Sequence, residues 1–238
     1  SLIQASKGVN TIIHLAAITH THKVSLYDEV NRSGTENLIH AAECCGIKQF
    51  IFLSSRTASY SGGAYAESKI RAEESLIKSH LDWIIVRLAE VYGMERNDSL
   101  QKIINVVKKG HPLPIVGKGT CTLAPVFVDD VINGIASIVN RRNAARKVYL
   151  LEGPKEYTFT EMVEVLENQL QRKIRKVFLP VFLVKIVAFF LYLLRSDILY
   201  RDQIPRLLCR KDDDSTCSFD DLGIKPRQLK DVIETIRH

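Results

Sequence analysis

Short apolar segments alternate with segments of helical periodicity in the first 93 residues, and this alternation limits the fold more than any other feature of the sequence. Runs of β-branched and apolar residues predict buried strands, whereas apolar residues spaced three and four apart predict amphipathic helices. Strands are expected at 11–17, at 48–55 and within 81–93, and helices at 26–46 and 65–80. Such alternation through short links predicts a parallel sheet covered by helices on both faces, which is an α/β, doubly wound fold.

The rhythm loosens after Gly93, where short strands and helices follow one another less regularly. A capping box is expected to open a helix at Thr158 or Thr160, with Glu161 or Glu164 as its acidic partner. The sequence therefore predicts a sheet-bearing part over 1–150, from which some segments after residue 93 join the second part. A mostly helical C-terminal part is expected over 151–238.

Charge and cysteine content narrow the class of protein. The chain has 33 basic and 27 acidic residues, a net charge of +6, and no basic block long enough for a nucleic-acid arm, so no nucleic-acid partner is expected. Its five cysteines have neither metal-ligand spacing nor a disulfide pattern. A reducing compartment such as the cytoplasm is therefore favoured. His14, His20 and His22 have no carboxylate cluster beside them, and no metal site is predicted.

The segment 177–194 is apolar except for Lys185. Its length is at the lower limit for a helix that crosses a bilayer, and Pro180 is tolerated at a helix start. Three interpretations stay open: a helix buried in the C-terminal part, a helix that contacts a membrane surface or a membrane partner, and a true span. The charge of Lys185 near the middle of the segment disfavours the span.

Three polar side chains are predicted to meet at one edge of the sheet. Tyr65 and Lys69 are four residues apart, so they share one face of a helix. The preceding strand ends in Ser54 and Ser55, at the carboxyl edge where open α/β folds bind ligands. A Y-x-x-x-K pattern alone occurs by chance in many proteins, but its position after this strand favours a catalytic role.

The chemistry of such a set follows from the pKa of a phenol, which is about 10 in water. An ammonium one turn away, with an oxidised nicotinamide nearby, favours the phenolate of Tyr65. The phenolate then takes a proton from a substrate hydroxyl while hydride leaves the same carbon, and Ser55 hydrogen-bonds that hydroxyl.

Seven segments recur here in the order found in the extended short-chain dehydrogenase/reductase superfamily, and the sequence most resembles its NAD-dependent epimerase/dehydratase branch. They are "TIIHLAA", "NRSGTENLIHAA", "KQFIFLSS", "YAESK", "IIVRLAEVYG", "PVFVDDVINGI" and "FDDLGIKP". The resemblance covers nearly the whole chain. It implies a Rossmann-like sheet, truncated at its N-terminal side, with a small and mostly helical C-terminal substrate domain.

The resemblance also assigns roles by position. Tyr65 matches the catalytic base, Lys69 its activator and Ser55 the residue that binds the substrate hydroxyl. Tyr65 and Lys69 are also assigned to cofactor binding, and the further cofactor-binding positions are Leu15, Ala16, Ala17, Asn31, Leu88 and Ala89. Arg56 and Glu90 are assigned to the substrate, and Asp129 to a structural acid that caps a helix.

The implied cofactor is NAD or NADP, with NAD favoured. The family's G-x-x-G-x-x-G turn, which receives the pyrophosphate, is not found in this sequence. We therefore expect the chain to be a fragment that binds a dinucleotide poorly by itself. The sheet edge beside the missing strands is expected to serve as an oligomer contact, and a homodimer is predicted.

The implied substrate is a nucleotide sugar or another small molecule, and the favoured reaction is sugar 4-epimerisation. Arg56 and Thr57 stand where sugar dehydratases carry an acidic pair, which disfavours dehydration. Two alternatives stay open: a membrane-associated enzyme resembling the 3β-hydroxysteroid dehydrogenases, and a non-catalytic NAD(P)-binding accessory protein.

Overall fold

The computed structural model describes residues 1–93, 99–141, 144–194, 200–209, 211, 215 and 217–237. The strands are β1 (Thr11–His14), β2 (Gln49–Ser55), β3 (Asp82–Leu88), β4 (Val91–Tyr92), β5 (Leu113–Val116), β6 (Thr122–Leu123), β7 (Val126–Phe127), β8 (Lys147–Leu151), β9 (Tyr157–Thr158) and β10 (Lys176–Leu179). The helices are α1 (Leu2–Ser6), α2 (Gly34–Cys44), α3 (Ala64–Ile77), α4 (Ser99–Lys109), α5 (Val128–Val139), α6 (Phe159–Gln169), α7 (Val181–Leu193), α8 (Gln203–Leu208), α9 (Phe219–Leu222) and α10 (Leu229–Arg237). A π-helix, Tyr27–Ser33, runs directly into α2.

Two compact units interleave along the chain. The first contains Ser1–Leu88, Ser137–Leu150 and Ala188–Ser218. The second contains Ala89–Ala136, Leu151–Val187 and Phe219–His238. The division expected between residues 150 and 151 stays a prediction.

The first unit is built on a sheet with the strand order β1-β2-β3-β8, in which β1, β2 and β3 pair in parallel. The interior residues of β2 are buried, because β1 and β3 pair along its two edges and apolar side chains of α2 and α3 pack against the sheet. The predicted parallel α/β sheet is thus confirmed, and the fold is Rossmann-like. Its core consists of apolar side chains from the sheet, α2 and α3: Ile39, Ala42, Ile47, Phe50, Phe52, Ala72, Leu76, Leu81 and Ile85.

Helix α3 begins at a glycine that the backbone requires. Gly63 has φ +88°, a conformation that side chains with a Cβ rarely adopt. A Cβ at this position would also lie 2.6 Å from a carboxylate oxygen of Asp202. The glycine therefore lets an acidic side chain approach the first turn of α3.

The second unit has its own core, in which α4, α6 and α10 pack together with short strand pairs. The strand pairs are β4–β7, β5–β10 and β6–β9. The predicted capping box is present at the start of α6, where Thr158 and Glu161 exchange side-chain-to-backbone hydrogen bonds. The core side chains are Tyr92, Leu100, Ile104, Val107, Leu123, Phe127, Tyr157, Met162, Leu166, Leu229, Val232 and Ile233.

The apolar segment 177–194 is not one continuous helix, and its contact with a membrane surface stays a prediction. Its first residues form β10, and α7 starts only after Pro180. The prediction of a buried helix is wrong, because most side chains of α7 are exposed, with Phe182 at 66% and Phe190 at 58%. Among the residues that the structure describes, no helix combines the length and hydropathy needed to cross a membrane.

Candidate active site

Ser55 and Tyr65 meet at the carboxyl edge of the sheet in the first unit. Ser55 is the last residue of β2, and Tyr65 lies in the first turn of α3. The Ser55 side chain lies close enough to the Tyr65 phenol to lower the pKa of the phenol. A second hydroxyl fixes the serine, since Ser55 Oγ lies 2.9 Å from Thr57 Oγ1 and accepts a hydrogen bond from the Thr57 N–H at 3.2 Å. The structure therefore brings together two of the three side chains proposed for catalysis.

Lys69 follows one turn later on α3 and is almost fully buried. Its Nζ donates to the main-chain oxygen of Leu53 at 2.6 Å and lies 4.2 Å from the centre of the Phe52 ring. Burial lowers the pKa of Lys69 to about 8, against the smaller opposing effect of Glu73. The ammonium is thus held beneath the edge of the sheet by a carbonyl of β2.

The electrostatics of Tyr65 differ from the sequence-based expectation. Burial raises the pKa of Tyr65; Arg206 and the hydrogen bond from Ser55 lower it, and Asp202 raises it further. Lys69 is not among these influences. Within the protein itself the raised pKa favours the neutral phenol, and the phenolate expected beside Lys69 and an oxidised nicotinamide stays a prediction.

Asp202 and Arg206, which the sequence analysis did not single out, enclose Tyr65 within the same unit. Asp202 Oδ1 accepts a hydrogen bond from the Tyr65 N–H at 3.2 Å. Arg206 Nη2 donates to Asp202 Oδ2 at 2.5 Å and to the Thr19 carbonyl at 3.1 Å. The Arg206 guanidinium carbon lies 3.9 Å from the centre of the Tyr65 ring, a close cation–π contact. Since 137 residues separate Tyr65 from Asp202, no local pattern pointed to this pair.

Asn31 is buried in the π-helix and links the loop after β1 to α3. Its side chain exchanges two hydrogen bonds with the main chain of Ile18, at 2.8 and 3.0 Å. Asn31 Nδ2 also donates to Ser68 Oγ at 3.0 Å, and Ser68 Oγ donates to the Tyr65 carbonyl at 2.7 Å. Asn31 therefore positions the loop that the resemblance assigns to the cofactor, rather than presenting free polar atoms to it. A π-helical turn is a frequent device for such an arrangement at functional sites.

The predicted cofactor-lining residues after β1 lie at the same carboxyl edge. β1 ends at His14, and Leu15 and Ala16 are exposed while Ala17 is half-buried. This exposed backbone, with small side chains at two of its three positions, leaves room for a ligand. Leu88 ends β3, where its carbonyl accepts from the Arg56 N–H at 2.9 Å.

Ala89 and Glu90 belong to the second unit. The Ala89 N–H donates to the Leu151 carbonyl at 3.1 Å, and Glu90 Oε2 accepts from the Ala124 N–H at 2.9 Å. Asp129, expected to cap a helix, lies in the first turn of α5. The binding roles assigned to Ala89 and Glu90, and the capping role assigned to Asp129, stay predictions.

Of the three histidines considered as metal ligands, His14 has different contacts from His20 and His22. His14 Nε2 is 3.0 Å from Thr35 Oγ1, and its ring stacks on Phe52. Burial, followed by the charge of Lys69, lowers the pKa of His14 to about 4, so its ring is neutral at physiological pH. His20 and His22 pack against the ring of Tyr200. Across the described part of the chain, no group of three metal-ligating side chains forms a cluster.

Comparison with known proteins identifies the family. Residues 1–151 match the model of the "NAD dependent epimerase/dehydratase family". The chain belongs to this family. The expected resemblance is thereby confirmed, and NAD, the favoured cofactor, is the one on which the family depends.

The family member UDP-glucose 4-epimerase from Vibrio cholerae is 27% identical over 93% of this chain and 74% of its own length. The 3 beta-hydroxysteroid dehydrogenase/Delta 5-->4-isomerase of Mycobacterium tuberculosis is 27% identical over 71% of this chain and 55% of its own length. The chain thus spans about half to three quarters of the length of these relatives. A crystal structure of a nucleoside-diphosphate-sugar epimerase from Staphylococcus aureus superposes with a TM-score of 0.73 at 20% identity, covering 98% of this chain and 79% of that one. At this identity the likeness shows the fold alone.

Proposed function

We propose that this member of the family carries the catalytic residues of an NAD(P)-dependent oxidoreductase/epimerase that acts on a nucleotide sugar, with Tyr65 as the general base. The observation that carries this proposal is the position of Ser55, at the end of β2, and of Tyr65, in the first turn of α3, at the carboxyl edge of the parallel sheet, where Ser55 lowers the pKa of the phenol. At that edge α/β folds bind their ligands, and a serine paired with a phenol is suited to hold and deprotonate a carbinol.

In this proposal each side chain has a separate task. Ser55 hydrogen-bonds the substrate hydroxyl, and Tyr65 removes its proton as the carbon–hydrogen bond breaks. With its pKa at about 8, Lys69 is mostly protonated at neutral pH, and it contributes positive charge at the end of β2. Arg206 places a second cation on the ring of Tyr65. The charge of Arg206 favours the phenolate that burial disfavours.

The residues after β1 are suited to hold the nicotinamide end of NAD, with Leu15, Ala16 and Ala17 at an exposed strand end and Asn31 fixing the loop behind them. When bound, NAD supplies the acceptor for the hydride. The roles of Leu88, Ala89, Arg56 and Glu90 remain proposals from the resemblance.

Epimerisation is favoured over dehydration because of the residues after Ser55. Elimination of water needs an acid–base pair beside the reacting carbon, whereas Arg56 is a cation and the Thr57 hydroxyl is engaged with Ser55 at 2.9 Å.

We further propose that the protein works as a homodimer in the cytoplasm.

The test is the substitution Tyr65→Phe in the complete polypeptide, assayed with NAD and UDP-sugars for conversion at C4. Loss of the phenolic hydroxyl is expected to lower turnover by about 10²-fold to 10⁴-fold, the usual contribution of a general base. Tyr60→Phe is the matched control, because the Tyr60 hydroxyl is exposed and bonds only Glu74 among the described residues.

An unchanged rate in Tyr65→Phe would refute the proposed base. If the intact polypeptide binds NAD but turns over no substrate, it is the non-catalytic accessory protein considered above. The exposed apolar surface of α7 favours a second candidate, a membrane-associated enzyme acting on a hydroxysteroid. Oxidation of a 3β-hydroxysteroid, with no reaction of UDP-sugars, would select it.

A further inference from the structure

The first half of α7 presents large apolar side chains to solvent. Phe182, Leu183, Ile186 and Val187 are all exposed, whereas Val184 and Ala188 form the buried stripe of the helix. Phe178 on β10 is also exposed, at 51%. Single exposed apolar residues are normal, but a contiguous set on neighbouring turns marks an interaction site.

Basic residues accompany this apolar set without acidic ones. Residues 168–194 contain no aspartate or glutamate, and their basic residues are Arg172, Lys173, Arg175, Lys176 and Lys185. Lys173 and Lys176 pair with Glu167, whose carboxylate lies at 3.7 and 3.1 Å. Arg175 and Lys185 are exposed and form no ion pair within the described residues. The charge around the apolar set is therefore positive and partly uncompensated.

We propose that this surface docks on a membrane that contains anionic lipids. It is defined as the apolar–basic surface and consists of Phe178, Phe182, Leu183, Ile186 and Val187 together with Arg175 and Lys185. The proposal goes beyond the proposed reaction and does not depend on it.

The length of α7 and the positive charge around it favour a membrane as the partner of this surface. α7 has 13 residues and is about 20 Å long, too short for a hydrocarbon core of about 30 Å, so it is suited to lie in the interface. A second copy is disfavoured, because a two-fold contact would set the same basic residues against each other. Anionic headgroups instead neutralise Arg175 and Lys185, while the phenylalanines enter the boundary of the acyl chains. The long stem of Lys185 lets its ammonium reach the headgroups from the apolar side.

The experiment is co-sedimentation of the full chain with vesicles of phosphatidylcholine mixed with phosphatidylglycerol, and with vesicles of pure phosphatidylcholine. The chain is expected to bind the mixed vesicles and to be released by raised salt. Equal binding to both vesicle types, or binding to neither, would overturn the proposal. Dimerisation in sedimentation velocity that Phe182→Gln abolishes, with no binding to vesicles, would assign the surface to a second copy and overturn the proposal as well.

Substitutions locate the contact. Phe182→Gln combined with Ile186→Gln is expected to weaken binding by about tenfold or more, from the apolar area lost. Arg175→Gln is expected to weaken it about fivefold, and only on the anionic vesicles. The matched controls are Ile132→Gln, an exposed apolar residue on α5, and Lys102→Gln, an exposed basic residue on α4. An equal loss in the controls would refute the location.

Discussion

Helices α3 and α7 both depart from the usual pattern of burial, in opposite ways. α3 buries four polar or ionisable side chains, Tyr65, Ser68, Lys69 and Glu73, while α7 exposes phenylalanine, leucine and isoleucine. Soluble helices usually do the reverse, because burial of apolar area stabilises the fold and burial of charge opposes it. Both helices therefore stabilise the folded state less than a helix with the usual pattern would. In α3 the reason is the desolvation of buried polar and charged groups, and in α7 it is apolar area that stays in water.

The two helices also differ in how their unusual residues are compensated. Every buried polar group on α3 named above has a hydrogen-bond partner within the first unit. Phe189 and Tyr192, near the end of α7, contact the Arg201 guanidinium. Phe182, Leu183, Ile186 and Val187 stay exposed, so a partner outside the chain would cover them. The buried polar groups of α3 are thus satisfied within the protein, whereas the exposed apolar side chains of α7 form the surface that we propose to dock on a membrane.

The largest expected effect tests the compensation within α3. Glu73 accepts from Arg87 Nε at 3.1 Å and Nη2 at 2.7 Å, and also from the Ser54 hydroxyl. Glu73→Gln leaves the buried Arg87 guanidinium without its carboxylate and is expected to lower the free energy of unfolding by about 3–5 kcal/mol, measured by urea denaturation. Glu67→Gln, which breaks the surface pair with Arg71 on the same helix, should cost about 1 kcal/mol or less. Similar losses in both variants would contradict the account of α3.

A smaller effect, with a pH dependence, comes from Lys69. Its pKa in the folded protein is about 8, below the ordinary value of 10.5. Between these values the unfolded chain holds a proton that the folded chain has released, so stability rises with pH across this window and is lowest below it. Lys69→Met removes the buried ammonium and is expected to raise the free energy of unfolding near neutral pH by about 1–3 kcal/mol, less what is lost with the hydrogen bond to Leu53.

The measurement is the difference between Lys69→Met and the unsubstituted chain as pH rises from neutral to about 10. The gain should shrink with rising pH, because the unsubstituted chain recovers the stability that the charged lysine withholds. A difference that stays constant would show that burial of the ammonium does not control the stability of α3.

The smallest expected effect concerns the exposed face of α7. Phe182→Gln is expected to change the free energy of unfolding by less than about 0.5 kcal/mol, because the side chain is exposed. Val184→Ala, two residues away on the buried stripe, should cost about 2 kcal/mol. A large loss in Phe182→Gln would show that α7 packs against the protein in solution, and the two helices would then no longer contrast.

Periodicity was enough to predict the parallel sheet and α3, because apolar burial sets both patterns. It failed for segment 177–194, since hydropathy reports how apolar residues are and not whether the fold has space to bury them. It also missed the π-helix before α2, which differs from an α-helix in hydrogen bonding but not in composition.

The candidate site could be predicted as far as its local parts extend. Ser55, Tyr65 and Lys69 are close in sequence, so strand end and helix spacing indicate them. Asp202 and Arg206 come from a distant segment and carry charges that suit any surface position. The direction in which the pKa of Tyr65 shifts depends on burial of its side chain, which no sequence pattern measures.

The separation between Tyr65 and Asp202 has a consequence for synthesis. The sheet and α3 emerge from the ribosome first, and contacts that are near in sequence form before distant ones. The acidic group on the first turn of α3, and the guanidinium on the tyrosine ring, arrive only when the segment after α7 has been made. A nascent chain therefore holds an uncapped α3 and an uncovered phenol until Asp202, 137 residues after Tyr65, has been made, and the finished environment of Tyr65 forms late in folding.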